Sequence, residues 1–429
     1  MIAAAIFVTF FVLIILGMPI AMALAFGAIV PMQFVMDMNL MMVAQKMFTS
    51  MDVYSLMTIP FFLIAGGLMD KGGVSARIVS FATSLVGWMP GHLAVITFAA
   101  SAFFGAISGS ATATVAAIGS IMLPSMLKQG YALDFSLATI ASAGILGTII
   151  PPSISFVIYG MATGASIGDM FLAGWIPGLM LTGAMSAYGI YYGKKHLKDE
   201  VRVKFSLRNV GKSFIQAFWA LLMPVIILGG IYAGICTATE SAAVSILYGV
   251  LVGTFVYKEL TFKLFLQTMK ESIRTSAMIM FIIATATVFS YVMTMEQLPT
   301  KVAQALFTMS GSELVFLALV TILLFGVGMI MDTQPAVLIL SPILLISAKA
   351  FGIDGIAFGV IMCVNLAIGL LTPPVGINLY VAASVAGVPV KKTFSRHLII
   401  YILLACAVLI SIMVFQELIT FLPSLVASM

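Results

Sequence analysis

Two short polar clusters interrupt long apolar runs: Ser108, Ser110, Thr112 and Thr114 in SGSATAT, and Asp332, Thr333 and Gln334 in MDTQP. Their donors are all oxygens, the ligands that a hard cation such as Na⁺ takes. Near each lies a second oddity, a Pro-Pro pair inside an apolar run: GTIIPPSISF from Gly147 to Phe156 and GLLTPPVGIN from Gly369 to Asn378. Two prolines break a helix and free backbone groups, which in hydrocarbon need partners. Each feature also has a plainer role. The serines and threonines bond back to helix carbonyls, the prolines kink a helix, and Asp332 caps a helix start before Pro335. A charge at the bilayer centre costs about 2.5–3.5 kcal/mol on insertion scales, which makes Asp332 the sharpest single residue. His92, His196 and His397, with Cys236, Cys363 and Cys406, are scattered without metal-ligand spacing. The cysteines are small apolar-facing residues by this pattern. No HExxH or paired aspartates supply a catalytic set, so an enzyme is not expected.

The composition dictates what must position these groups. Of 429 residues, 62% are hydrophobic and 8% charged, with mean hydropathy +1.19; soluble domains carry about 25% charged residues. A water-facing fold cannot cover this much apolar surface, so an all-α polytopic protein embedded in membrane lipid is expected. The ~10-residue alternation of a barrel strand is absent. A net charge of +5 is no sign of nucleic-acid binding, because the basic residues gather in loops between apolar segments. No Lys or Arg precedes Lys46, so the positive start of a secretory signal is not expected.

The chain repeats itself. At an offset of 222, Gly27 meets Gly249, Gly147 meets Gly369, and Pro151-Pro152 meets Pro373-Pro374. Nearby, GVSARIV (Gly73 to Val79) faces QLPTKVA (Gln297 to Ala303), and FGAISGSATAT (Phe104 to Thr114) faces FGVGMIMDTQP (Phe325 to Pro335). Between the halves lies the most polar stretch, from Gly193 to Lys212, with seven Lys or Arg. The expected domains are therefore a first repeat, 1–192, a basic linker, 193–213, and a second repeat, 214–429.

Parity decides whether the repeats are parallel or inverted. In the first half we expect a short helix to Leu16 and another from Met18 to about Phe34, parted at Gly17. Tyr54 to Met69, an amphipathic Val74 to Val86, Gly91 to Met126, Phe135 to Ala162 and Phe171 to Tyr192 follow. As one helix, Gly91 to Met126 would be roughly 54 Å long against a core of about 30 Å. With SGSATAT at its middle, it is expected to be a re-entrant hairpin that does not change sides. The second half gives Phe214 to Ala233, Glu240 to Tyr257, Ala277 to Met293, a hairpin from about Glu313 to Ile346, Ile356 to Ala386 and His397 to Phe415. Each half then has about five crossings, one hairpin and one broken helix, and an odd number inverts the repeats. With the linker cytoplasmic, 17 of the 20 basic residues fall inside, and only Lys46, Lys301 and Lys349 fall outside. Both termini are then external. A single tilted helix over Met1 to Phe34 would undo both the parity and the charge agreement. TATE (Thr237 to Glu240) is a capping box at a helix start. Lys258 to Arg274 is a basic amphipathic stretch, expected as an interfacial arm.

Inverted hairpins bring both polar tips beside both Pro-Pro breaks, the general arrangement of a secondary transporter. At each tip, carbonyls ending the first half-helix suit a cation and N–H groups opening the second suit an anion. No Lys or Arg falls in the expected midplane, so a carboxylate would rest on helix N-termini and hydroxyls.

The stretches AISGSATATVAAIG (Ala106 to Gly119), LGTIIPPSISFVIYG (Leu146 to Gly160), FLAGWIPG (Phe171 to Gly178), GICTATESAAVSILYG (Gly234 to Gly249) and LLTPPVGINLYV (Leu370 to Val381) resemble the large membrane subunit of TRAP (tripartite ATP-independent periplasmic) transporters. The likeness covers essentially the whole chain. It implies an elevator-type, Na⁺-driven importer in a bacterial inner membrane. It also implies a small membrane subunit as partner, and a periplasmic binding protein that delivers an organic acid anion such as a sialic acid or a C4-dicarboxylate. Carried onto this sequence, Na⁺ would be held at Ser108, Gly109, Gly147 and Thr148 in the first half. In the second half it would be held at Gly326, Gly328, Thr372 and Gly376. The substrate would lie near Ser110, Ser153, Ser155 and Asp332. Where the first half has Gly109-Ser110-Ala111, the second has Met331-Asp332-Thr333, so the two sites need not be equivalent. A stand-alone dicarboxylate–Na⁺ symporter of similar architecture is the alternative reading.

Overall fold

Apolar runs punctuated by Gly and Pro fold into helices, with no strand among the described residues. The computed structural model describes residues 2–197, 200–298, 300, 301, 304 and 311–427. In the first half the helices are α1 (Ile2–Ile15), α2 (Ile20–Phe34), α3 (Met41–Met51), α4 (Thr58–Lys71), α5 (Val74–Val86), α6 (His92–Ser108), α7 (Ala111–Lys128), α8 (Leu133–Gly144), α9 (Leu146–Ile149), α10 (Ile154–Thr163) and α11 (Ile167–His196). The second half contributes α12 (Leu207–Tyr232), α13 (Ala238–Leu251), α14 (Phe262–Met295), α15 (Glu313–Gly328), α16 (Thr333–Ala350), α17 (Gly355–Gly369), α18 (Ile377–Ala386), α19 (Arg396–Val414) and α20 (Glu417–Ala427). Seven of the described helices are long and apolar enough to cross a membrane.

The start of the chain is two helices, not one. Gly17 takes a positive φ of +83°, and α1 packs back along α2. Helix α5 has the expected bounds, and both expected hairpins form, parted at Gly109-Ser110 and between Gly328 and Thr333. Two short helices, α3 and α20, lie where no helix is expected from the sequence. The stretch from Lys258 to Arg274 is not a separate arm. Most of it belongs to the 34-residue α14, which runs unbroken because no Gly or Pro occurs between Phe262 and Met295. The proposed match of GVSARIV to QLPTKVA falls on Pro299, Val302 and Ala303, which lie outside the described residues.

The molecule has two ends. At one, the linker joins α11 to α12, Val203 N–H donates to Gly87 O at 3.1 Å, and Arg77 pairs with Glu259 at 2.7 Å. At the far end, the Thr58 and Thr239 hydroxyls, 2.6 Å apart, tie α4 to α13. The α6–α7 hairpin has its base at the linker end, where Tyr131 donates to Glu200 at 2.5 Å. Helix α19 starts at that end, with His397 Nδ1 2.7 Å from the Tyr188 hydroxyl, and climbs to the far end. There the Gln416 amide donates to the Glu313 carboxylate at the base of the α15–α16 hairpin. The hairpins therefore enter from opposite ends, and their tips face each other in the interior.

Candidate functional site

Tip one is built by α6 ending at Ser108 and by Gly109, whose φ of +60° turns the chain into α7. Ser110 caps α7, and Thr114 donates to Ser110 O at 2.8 Å while its hydroxyl lies 3.2 Å from Ser108 Oγ. The first break docks on this tip. Helix α9 ends at Ile149, the cis Pro151-Pro152 pair follows, and Ser153 caps α10 while donating to Thr148 O. Ile154 N–H then donates to Gly109 O at 3.3 Å. Close backbone approach makes two glycines necessary here. A Cβ on Gly105 would lie 2.9 Å from Gly147 Cα, and one on Gly147 would lie 2.2 Å from Thr114 Oγ1.

The second half repeats the backbone. Gly376 N–H donates to Met329 O at 3.4 Å and Val375 N–H to the same oxygen at 3.2 Å. A Cβ on Gly369 would lie 2.5 Å from the Gly328 carbonyl carbon. The Pro373-Pro374 bond is cis, and Thr372 donates to Ile368 O at 3.2 Å. Asp332 does cap α16: its Oδ1 accepts from Thr333 N–H at 2.6 Å and from the Thr333 hydroxyl at 3.1 Å. Its capping role is therefore real, with the Gln334 N–H as a further backbone partner.

The two tips meet. Ser155 Oγ, at the start of α10, lies 3.1 Å from Thr333 Oγ1. A cavity of about 10 Å³ sits between them, lined by Gly109, Ser110, Thr148, Ser155 and Asp332 among others. That is room for about one water, or an ion of that size. Asp332 is the one charged group among its described lining residues. Ser110 and Thr112 also line a larger space of about 360 Å³ that opens at the linker end.

Of the expected residues, Ser110, Ser155, Asp332, Gly109 and Thr148 converge on the cavity. Ser108 and Ser153 bond to neighbouring residues of the tip and the break, and Gly147 packs against Ser110 O next to the cavity. Gly328, Thr372 and Gly376 form the corresponding junction of the second half. A Cβ on Gly326 would meet nothing within 4 Å, since two residues along the helix turn it away from Gly328. Glu240 closes a capping box with Thr237 and faces away from the tips. Asn378 escapes sequence reasoning. Its backbone N–H donates to Leu370 O and its side-chain amide to Ala141 O, both at 3.2 Å, so it pins the second break to α8. A lone buried amide just after Pro-Pro was the available signal.

This geometry has relatives. The family described as "Tripartite ATP-independent periplasmic transporter, DctM component" matches residues 7–418. The isethionate TRAP transporter permease protein DctMQ of Oleidesulfovibrio alaskensis is 42% identical over 402 residues, 94% of this chain. The chain belongs to the DctM family of TRAP transporter components. It spans 63% of the length of DctMQ. The C4-dicarboxylate TRAP large permease DctM of Pseudomonas aeruginosa is 41% identical over 89% of this chain and 87% of its own. The sialic acid TRAP large permease SiaM of Vibrio cholerae is 38% identical over 95% of each. The solved YdaH transporter of Alcanivorax borkumensis shares the fold, with a TM-score of 0.61, 14% identity and 87% of each chain covered. Membership in this family makes the chain a multi-pass membrane transport component.

Proposed function

We propose that this TRAP component is the large membrane subunit of a Na⁺-coupled importer for an organic acid anion. The observation that carries the reading is the tip cavity: two hairpins from opposite ends, each docked on a Pro-Pro break, with hydroxyls on one side and Asp332 on the other. An organic anion and the Asp332 carboxylate repel each other in a site of low dielectric, so a cation must enter with the anion. Na⁺ is that co-transported substrate. Ser108, Gly109, Gly147 and Thr148 offer oxygens in the first half, and Gly326, Gly328, Thr372 and Gly376 in the second. Ser110, Ser155 and Asp332 face the anion, with Ser153 supporting them.

Ligand pockets usually occupy about 300–1,000 Å³, far more than the space between the closed tips. The tips must part to admit an acid, and a rigid-body elevator movement of the hairpin-bearing core supplies that step. The matching contacts in the two halves support an inverted repeat over 1–192 and 214–429. We place the chain in a bacterial inner membrane with the linker cytoplasmic and both termini periplasmic, because that orientation puts most of its Lys and Arg inside. As partners we propose a small TRAP membrane subunit and a periplasmic binding protein. The substrates named for the relatives, isethionate, C4-dicarboxylates and sialic acid, define the panel to try.

The test is uptake of radiolabelled isethionate, succinate and N-acetylneuraminate into proteoliposomes carrying the chain with both partners. Uptake of at least one acid should collapse without a Na⁺ gradient. Uptake indifferent to Na⁺ would reject the coupling, and saturable uptake without the binding protein would favour a stand-alone symporter.

A further inference from the structure

Two larger spaces flank the tip cavity, and their charges differ. The one at the far end, about 510 Å³, lies between α3 and α14 on one side and α10 and α16 on the other. Lys46 is the one charged side chain among its described lining residues. Its Nζ sits 4.3 Å from the Tyr291 ring centroid, and it makes no ion pair among the described residues. Hydroxyls of Ser50, Thr287, Ser290 and Thr294 share the space. Its walls lead to the tips. Leu338 and Pro342 lie on α16, which opens at Thr333, and Met161 lies on α10, which opens just before Ser155. The linker-end space carries Asp70, Lys71 and Glu271, two carboxylates against one ammonium.

We propose that the far-end space is an anion-capture vestibule, in which a small organic carboxylate or sulfonate first docks on the Lys46 ammonium and the neighbouring hydroxyls. This inference rests on the organic-anion reading above. An aromatic face holds the ammonium in place without neutralising it. A lone positive charge inside a concave, low-dielectric wall concentrates its field and raises the local concentration of anions. The tip cavity supplies no such attraction, because its charge is Asp332. Capture therefore precedes the tips: the anion waits at Lys46 until the tips part and a cation offsets the carboxylate.

The test needs no knowledge of the substrate. In the full chain, reconstituted with the small membrane subunit, Cys236, Cys363 and Cys406 are replaced by Ala and a reporter thiol is placed by Ser290→Cys. Its rates with an anionic sulfonatoethyl and a cationic trimethylammonioethyl methanethiosulfonate are compared with those of a free thiol in solution. The normalised ratio should favour the anionic reagent by about fivefold, vanish in Lys46→Gln and return in Lys46→Arg. A ratio near one with Lys46 present, or a preference that survives Lys46→Gln, would overturn the proposal. Thr287→Cys provides a second reporter should Ser290→Cys fail to fold. Uptake of succinate, isethionate and N-acetylneuraminate separates the two claims. Thiol selectivity without uptake of any acid removes the substrate reading, and uptake without thiol selectivity removes the vestibule.

Discussion

In the first half, Ile154 N–H closes on Gly109 O and Gly105 packs on Gly147; in the second, Gly376 N–H closes on Met329 O and Gly328 packs on Gly369. The backbones match at offsets near 222, yet the side chains do not. Tip one presents Ser108, Ser110, Thr112 and Thr114, whereas tip two presents Asp332, Thr333 and Gln334. Backbone approach sets where a break can dock, and it leaves side-chain oxygens free to diverge. The half with the carboxylate should then dominate charge balance, and the half with hydroxyls should mainly shape the site.

The largest expected effect follows from that asymmetry. Asp332→Asn keeps a helix cap of nearly equal quality and removes only the charge. Uptake should fall by at least about tenfold, a loss of about 1.4 kcal/mol or more, with expression unchanged. Ser110→Ala should cost less. Wild-type uptake in Asp332→Asn would return that residue to capping alone and erase the contrast between the halves.

The glycines test the shared backbone. Gly147→Ala and Gly369→Ala should each destabilise by about 1–3 kcal/mol, the usual cost of overpacking, seen as a lowered melting temperature in detergent. Gly326→Ala should be neutral or stabilising, by at most about 1 kcal/mol, since its Cβ meets open space. A harmful Gly326→Ala would show that its surroundings are more crowded than the open space at its Cβ implies.

A further effect concerns the linker. Burial alone would raise the Glu200 pKa. Hydrogen bonds from Tyr131 and the Gly91 N–H, with His92 Nδ1 2.9 Å away, outweigh it and hold the carboxyl down at about 2, against an ordinary 4.5. A depressed folded pKa stabilises fully above about pH 4.5 and is lost as pH falls toward about 2. All three partners belong to the first half, so this contact fastens the linker to one repeat only. Glu200→Gln should cost about 1–3 kcal/mol at pH 7 and flatten the loss of melting temperature between pH 4.5 and 2. It should also expose Arg202 and Lys204 to faster tryptic cleavage. An unchanged acid profile would show that the linker is held by other contacts.

Much of this architecture was legible because Gly and Pro punctuate apolar runs. Gly17 parts α1 from α2, Gly109 turns the first hairpin, and α5 keeps its expected bounds to the residue. The merging of Lys263 to Arg274 into α14 was hidden because charge pattern suggested an interface while the absence of breakers favoured continuity. Helices α3 and α20 are only 11 residues each, too short to stand out beside the long apolar runs that mark the spanning segments. The long-range contacts join residues with no local signal: Ser155 with Thr333 and Asn378 with Ala141 near the tips, and His92 with Glu200 at the linker. Side-chain type located the candidates, and only the fold shows which of them meet.

The most direct test of the central claim is equilibrium binding of radiolabelled sodium to the purified chain. Binding should be saturable and displaced by unlabelled Na⁺ but not by K⁺, and weakened by Thr148→Val and by Thr372→Val. Binding that never saturates, or that ignores both substitutions, would contradict a Na⁺ site at the two broken helices.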